Sequence, residues 1–368
     1  MAEGPAGGTL GADSVPALAE PDDRAAAQGP AGEPGSDAPA APAPAAPAGR
    51  WHALTNPAVV SAVERYGVLG VWVLMAVAFT IAAPGLFLTF GTFQAIFAGQ
   101  EPLVFLAAAL VCVLAVGEFD LSIAGILGLS ATLVPVLVVK DHWSLALAVI
   151  ASMVATTLAG LVNGLLIVKV RINPIVVTLG MATLLLGLEL QQTQLSTVTG
   201  LPNGFASFAN AEFLGLPVAF YYGAVLMLVM AYVMIATRLG RHMIFVGANR
   251  EVARLAGVRV NRIRLGAYVF SGFICGAGGV ILVAGLGGFD PTTSSEYLLP
   301  AFAAAFLGSA MIIPGRFNSI GAFLAIYFLE TGIIGLELLG YTGWISDVFF
   351  GAALIIAVAV STVLRRSG

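Results

Sequence analysis

The groups in this chain best placed to do chemistry are the few ionisable and polar side chains that sit inside or between apolar runs. The segment Gly117-Glu118-Phe119-Asp120-Leu121-Ser122 sets two acids at the junction of two long apolar stretches. A charge at mid-membrane costs roughly 2.5–3.5 kcal/mol on insertion scales, so such acids face protein or water and have a task. Two tasks fit. Asp120 can cap a helix beginning at Leu121, with Glu118 in the polar interface. Alternatively, a helix start facing a cavity offers donors to a polar solute, which makes Glu118, Asp120 and Ser122 candidates to line a translocation pathway. Asn163 and Thr178 also sit in apolar runs, where amides and hydroxyls join helices or touch a solute. Three more acids lie within apolar stretches. Glu189 and Glu337 are near span ends, within reach of water by snorkelling. Glu330 is deeper, where a cavity or a subunit contact is expected.

Hydrolytic and redox chemistry have little support. Cys112 and Cys275 each sit within an apolar run and read as small packing residues. His52, His142 and His242 are scattered, and neither HExxH nor CxxC occurs. No G-x-x-x-x-G-K-[ST] phosphate loop is present, and the two lysines, Lys140 and Lys169, lie outside glycine-rich turns. No catalytic residue, metal ligand or resident cofactor is expected. If ATP drives this protein, another chain binds it with Mg and hydrolyses it.

The basic residues are concentrated. Arg238, Arg241, Arg250, Arg254, Arg259, Arg262 and Arg264 are seven of the 16 Lys and Arg residues, all in one polar loop, 238–264, between apolar runs. Short loops rich in Lys and Arg stay on the cytoplasmic side. Within this one, Val246 to Val258 reads as a short amphipathic helix bounded by Gly247 and Gly257. Asn249 is placed to cap it, Glu251 lies in its first turn, and Arg250 and Arg254 fall one turn apart on a shared face. Ala253 is small enough for a partner's groove to receive. A charged helix held at the membrane surface is what a pore needs if a soluble motor is to push on it.

The elements that must position these residues are membrane helices. A hydrophobic content of 59% with 10% charged residues indicates an all-α polytopic membrane protein. Ten apolar runs can span: 66–83, 88–116, 121–139, 145–168, 174–190, 218–237, 265–286, 297–313, 320–339 and 345–364. They lack the alternation of barrel strands. The second is interrupted by Gln100-Glu101-Pro102, so it is one broken helix or two short ones. If it crosses once, Arg65, Lys169, Arg171, the 238–264 loop, Arg316, Arg365 and Arg366 all fall inside, and both termini are cytoplasmic. The segments 84–87, 140–144, 191–217, 287–296 and 340–344 then face outward, and 191–217 is long enough to form a docking surface. Residues 1–50 are rich in Ala, Pro and Gly and carry seven acids against Arg24 and Arg50. This −5 tail leaves the 51–368 membrane domain at +1 within a net charge of −4. It has too few large apolar residues to offset its ordering entropy and is expected to be disordered.

The motifs bear a specific resemblance. Residues 246–258 are similar to the V-G-x-N-x-x-A-A-R-x-S-G-I coupling segment of ribose-type ABC permeases. Gly117, Asp120, Leu121, Ser122 and Gly125 match that family's G-G-I-D-L-S-V-G, with Glu118 in place of the second glycine. Gly160 to Gly180 resembles its G-x-x-N-G-x-x-x-x-x-x-x-I-x-P-F-I-x-T-L-G. Pro291-Thr292 and Ala303 to Gly308 look like its P-T and A-A-V-V-L-G-G, and the following G-T-S-L-x-G-G-x-G is degraded to Ser309–Arg316. The resemblance covers roughly residues 85 to 364 and describes a divergent branch. It implies the inner-membrane permease subunit of an ABC importer carrying a small polar solute, a monosaccharide first. A nucleoside, an autoinducer or a branched-chain amino acid is the alternative. The implied partners are a cytoplasmic ATP-binding-cassette ATPase, an extracytoplasmic solute-binding protein, a second permease copy or paralogue, and membrane lipid; nucleic acid is not among them. An ion-coupled secondary transporter would instead show inverted repeats with paired broken helices, and no convincing repeat is seen.

Overall fold

The computed structural model describes residues 57–367. The expected disorder of the acidic tail at 1–50 lies outside the described residues. Helices account for nearly all of the regular structure. In chain order they are α1 (Pro57–Ala82), α2 (Phe90–Phe97), α3 (Glu101–Ala115), α4 (Ile123–Pro135), α5 (Leu145–Leu165), α6 (Pro174–Thr193) and α7 (Asn203–Asn210). There follow α8 (Val218–Ala236), α9 (Arg238–Ala248), α10 (Arg250–Leu255), α11 (Val260–Leu286), α12 (Leu298–Gly308), α13 (Ser319–Leu338) and α14 (Trp344–Ser367). Four two-residue strands, β1 (Val198–Thr199), β2 (Glu212–Phe213), β3 (Leu216–Pro217) and β4 (Gly288–Phe289), pair antiparallel as β1–β4 and β2–β3.

Eight of the apolar runs form helices long enough to cross a membrane, among the described residues. The interrupted second run crosses once, as α2 and α3 in tandem within Phe90–Ala115. Its break has local causes: Gly99 takes φ +83°, and Pro102 opens α3, where its missing N–H costs nothing. The run 297–313 departs from the expected single helix. It is a 3₁₀ segment, Pro291–Tyr297, followed by the 11-residue α12 and a turn through Ser309–Phe317. At 1.5 Å per residue α12 alone covers about 17 Å, too little for a hydrocarbon core of about 30 Å. The whole composite makes the crossing, since Ile312 N–H donates to Arg65 O at 3.2 Å at the start of the first span.

The core is built around α3, every residue of which is buried. α11 packs against α3, α4 and α5 at once, and small residues permit it. A Cβ on Gly272 would meet Thr156 O of α5 at 2.5 Å, one on Gly278 would meet Phe105 of α3 at 2.8 Å, and one on Gly279 would meet Leu127 O of α4 at 2.4 Å. Close backbone approach of this kind drives association where lipid removes the hydrophobic driving force between helices.

The connections sort to two ends. At one, β1 pairs with β4, Lys140 donates to Gln192 O at 2.8 Å, and Asn210 donates to Gly285 O at 2.9 Å. The 191–217 segment is therefore an ordered cap, tied at several points. Asp290 in this cap accepts from Thr292 N–H and its hydroxyl, which holds its carboxyl below the usual range. At the other end lie the α3–α4 junction, α9 and α10, and the 309–317 turn. The arginine-rich loop makes this second end the cytoplasmic one.

Candidate functional site

The loop 238–264 is a two-helix arm rather than one helix. α9 runs from a Thr237 cap, and Asn249 then breaks it with extended backbone (φ −157°, ψ 109°). The Asn249 side chain accepts from Val252 N–H at 3.1 Å and so starts α10, the capping expected of it. Gly257, at φ +80°, follows the end of α10. Gly247 lies inside α9 and lets it touch the end of α3: a Cβ there would sit 2.2 Å from Ala115 O.

Arg250 and Arg254 do not share a task. Arg254 pairs with Glu251 at 2.7 Å, both well exposed, which contributes little. Arg250 instead reaches the α3–α4 junction, donating to Gly117 O and to Glu118 Oε1, each at 2.7 Å. Ala253 is fully buried within the chain, so no partner's groove receives it in this conformation. The apolar side chains that α10 presents outward are Val252 and Leu255, 48% and 83% exposed.

The junction itself is a dense polar cluster. Gly117 closes α3 at φ +74°, and the chain turns through Glu118 to Ser122 before α4 begins. Glu118, with its side chain fully buried, bonds Arg250, takes the Nε of Arg264 on Oε1 at 2.5 Å, and faces the Tyr268 hydroxyl at 3.3 Å. Tyr268 also donates to Phe119 O at 3.0 Å. Asp120 accepts from Ser122 N–H at 2.9 Å and the Ser122 hydroxyl at 2.5 Å, and from Ser271 at 3.2 Å. It thus holds an Asx-type turn two residues ahead of the helix. Burial pushes the Asp120 carboxyl up, while its bonds to Ser122 and Ser271 pull the other way. Asn163 of α5 donates to the Ser122 hydroxyl at 2.8 Å, and Thr178 of α6 accepts from Leu121 N–H at 3.0 Å.

The structure therefore brings Glu118, Asp120, Ser122, Asn163 and Thr178 together. It does so in one buried layer in which each is at most 1% exposed; Asp120, Ser122 and Asn163 bond in series, Thr178 bonds the backbone of Leu121, and Glu118 bonds Arg264 and Tyr268 of α11. The hydrogen bonds they make are to protein, as the joining role requires, although Asn163 Oδ1 is buried without a partner among the described residues. Arg264, Tyr268 and Ser271 complete the layer and escaped the sequence reading. Their i, i+4, i+7 spacing along the start of α11 is the signal that marks them, a polar stripe on an otherwise apolar helix. Glu189 departs from expectation too: it is fully buried, and neither carboxylate oxygen has a hydrogen-bond partner. Among the described residues no cluster of His, Cys, Asp and Glu could hold a metal ion.

A bundle of long apolar helices, with a charged cytoplasmic arm locked into a buried junction, defines a polytopic membrane transport subunit. The chain belongs to the family described as branched-chain amino acid transport system / permease component, whose model matches residues 97–358. It is a multi-pass inner-membrane permease subunit of the ABC importer type and not itself an enzyme. Among its relatives is the autoinducer 2 import system permease protein LsrC of Enterobacter sp. (strain 638), 31% identical over 281 residues, 76% of this chain and 82% of that one. The ribose import permease protein RbsC of Bacillus subtilis is 31% identical over 255 residues, 69% of this chain and 79% of that one. The L-arabinose ABC transporter permease protein AraH of Azospirillum brasilense is 28% identical over 306 residues, 83% and 90% respectively. No solved structure matches the chain.

Proposed function

We propose that this chain forms the translocation pathway of an importer for a monosaccharide, and that α10 is where a cytoplasmic ATPase, with its own ATP and Mg, delivers force. The observation that carries this reading is the position of α10. It presents Val252 and Leu255 outward at the cytoplasmic end and is bonded through Arg250 to the α3–α4 junction. Exposed apolar side chains on a charged surface helix mark a protein contact. A push on α10 then reaches α3, α4, α5, α6 and α11 through Glu118 and the hydrogen-bonded layer around it. An extracytoplasmic binding protein would deliver solute to the ordered 191–217 cap, and a second permease copy or paralogue would complete the pathway. The relatives named for ribose and L-arabinose favour sugar; the one named for autoinducer 2 supplies the second reading.

The test is Leu255→Ser. Leu255 is 83% exposed, so the variant should fold and insert as wild type. Losing an apolar anchor at a contact typically costs 2 kcal/mol or more, roughly a 30-fold loss of ATPase affinity. Proteoliposomes containing permease, ATPase and binding protein, supplied in turn with ribose, L-arabinose, autoinducer 2 and isoleucine, report the solute. Wild-type ATPase binding and uptake by Leu255→Ser would defeat the coupling assignment. Uptake of isoleucine alone would defeat the sugar assignment.

A further inference from the structure

A second site lies on the same arm, away from the junction. A cavity of about 230 Å³ opens between the end of α8, α9 and the segment 312–320. Its walls are apolar, including Ile235, Ile244 and Ile313, and it also holds two arginines, Arg241 of α9 and Arg316 of the turn. Neither guanidinium meets a carboxylate among the described residues: the ion pairs there join Arg250 and Arg264 to Glu118, and Arg254 to Glu251. Among the described residues, the one hydrogen bond the Arg241 guanidinium makes is a long one to Ala236 O, at 3.4 Å. Ser319 lines the same cavity, and its hydroxyl is buried without a hydrogen-bond partner. The wall is held in an unusual shape: Ile312 is β-branched yet takes φ +62°, a conformation such residues avoid.

Location decides the chemistry. The outer face of α8 exposes Val225, Leu228, Val229, Tyr232 and Ile235, a stripe at helical spacing that meets hydrocarbon. Ile235 belongs to both the stripe and the cavity wall, so the cavity opens toward the bilayer. Arg241 and Arg316 lie at the cytoplasmic end, just beyond the α8 span that ends at Ala236. An apolar recess continuous with lipid, closed on the cytoplasmic side by two uncompensated guanidiniums and an unpaired hydroxyl, is complementary to one kind of molecule. We propose that it binds an anionic phospholipid of the cytoplasmic leaflet. The phosphate lies between Arg241 and Arg316, and part of an acyl chain runs along Ile235, Ile244 and Ile313. Basic pockets between helices on this side of a membrane recognise headgroups through the same charge pairing. The lipid would then bridge the arm and the 309–317 turn that ends the composite crossing.

The experiment reconstitutes the full chain in nanodiscs of equal phosphatidylglycerol and phosphatidylethanolamine, followed by native mass spectrometry of the lipid retained. Two arginines at the membrane surface predict roughly a 30-fold preference for phosphatidylglycerol. The double variant Arg241→Gln with Arg316→Gln should retain both lipids about equally. Arg241→Lys with Arg316→Lys should keep most of the preference and shows that the loss is not one of folding. A control pair on the same surface, Arg259→Gln with Arg262→Gln, should match wild type. Equal retention by the wild type, or an unchanged preference in the Gln double variant, would overturn the proposal. So would efficient disulfide cross-linking of Ile235→Cys between two copies, which would show that a second permease covers this face.

Discussion

Glu118→Gln is the sharpest probe of the junction, because it preserves shape and removes one charge. In the native protein the carboxylate offsets two guanidiniums. Arg264 is held in a largely buried position, with 14% of its side chain exposed, while Arg250 keeps 43%. Removing one partner of a buried pair costs about 3–5 kcal/mol, because the other charge is left unpaired. Here Arg250 can turn to water, and exposed pairs contribute only about 0–1 kcal/mol. The loss therefore falls almost wholly on Arg264, at about 3 kcal/mol. Equilibrium unfolding of the purified chain in mixed detergent measures it. A second arm uses Arg264→Gln and the double variant. If Glu118 and Arg264 interact as the 2.5 Å contact indicates, the two effects overlap, with a coupling energy of about 1–3 kcal/mol. The same variants should bind the ATPase normally through Val252 and Leu255 yet couple its turnover poorly to uptake, since the push on α10 is no longer relayed. Wild-type stability in Glu118→Gln, or additivity within about 0.5 kcal/mol, would refute the clamp.

Other positions test the arm and its orientation. Asn249→Ala removes the α10 cap and should cost about 1 kcal/mol, read as faster amide hydrogen exchange over residues 250–256. Gly247→Ala places a Cβ 2.2 Å from Ala115 O, a backbone atom that cannot turn aside, so α9 should separate from α3, with about 1–3 kcal/mol of destabilisation in the same unfolding assay. For topology, Ser207→Cys should label with an impermeant thiol reagent on intact cells and Leu255→Cys should not; Cys112 and Cys275 are buried and leave the background low. The reverse labelling pattern would invert the orientation drawn from the arginines.

What the sequence made legible follows from what each signal measures. Pro102 acts on the backbone directly, and the Gln100-Glu101-Pro102 interruption marks the break in the second crossing. Asn249 is a cap by residue type, and it caps. The small residues Gly272, Gly278 and Gly279 let three of α11's neighbours approach closely. Hydropathy reports solvent preference and not backbone geometry, so residues 297–313 looked like one more helix although only Leu298–Gly308 is α-helical. Long-range pairing was harder still. Arg250 and Arg254 look equivalent along a helix, and only the position of Glu118, 132 residues earlier, separates them. Ala253 invited a partner on size alone, whereas the fold had already buried it. Glu189 looked able to reach water from its span end, but the 3₁₀ segment packs over it: a Cβ on Gly128 would meet both Glu189 Oε2 and Ser294 at 2.6 Å.

The composite crossing has a consequence for how the protein is made. A segment leaves the translocon for lipid when its backbone is satisfied within itself and its side chains prefer hydrocarbon. Pro291–Tyr297 meets neither condition: it is 3₁₀, carries Thr292, Thr293, Ser294, Ser295 and Glu296, and buries only Pro291 and Ser294, with α4 and α6 as its neighbours. It has no stable place in the bilayer until those helices, synthesised well before it, are already assembled to receive it. Biogenesis is therefore ordered, with the α3–α6 and α11 framework built first and the 291–318 segment threaded in afterwards with α13 as a hairpin. A ribosome stalled shortly after Phe317 should leave a nascent chain whose last crossing stays at the translocon, and release should await the emergence of α13.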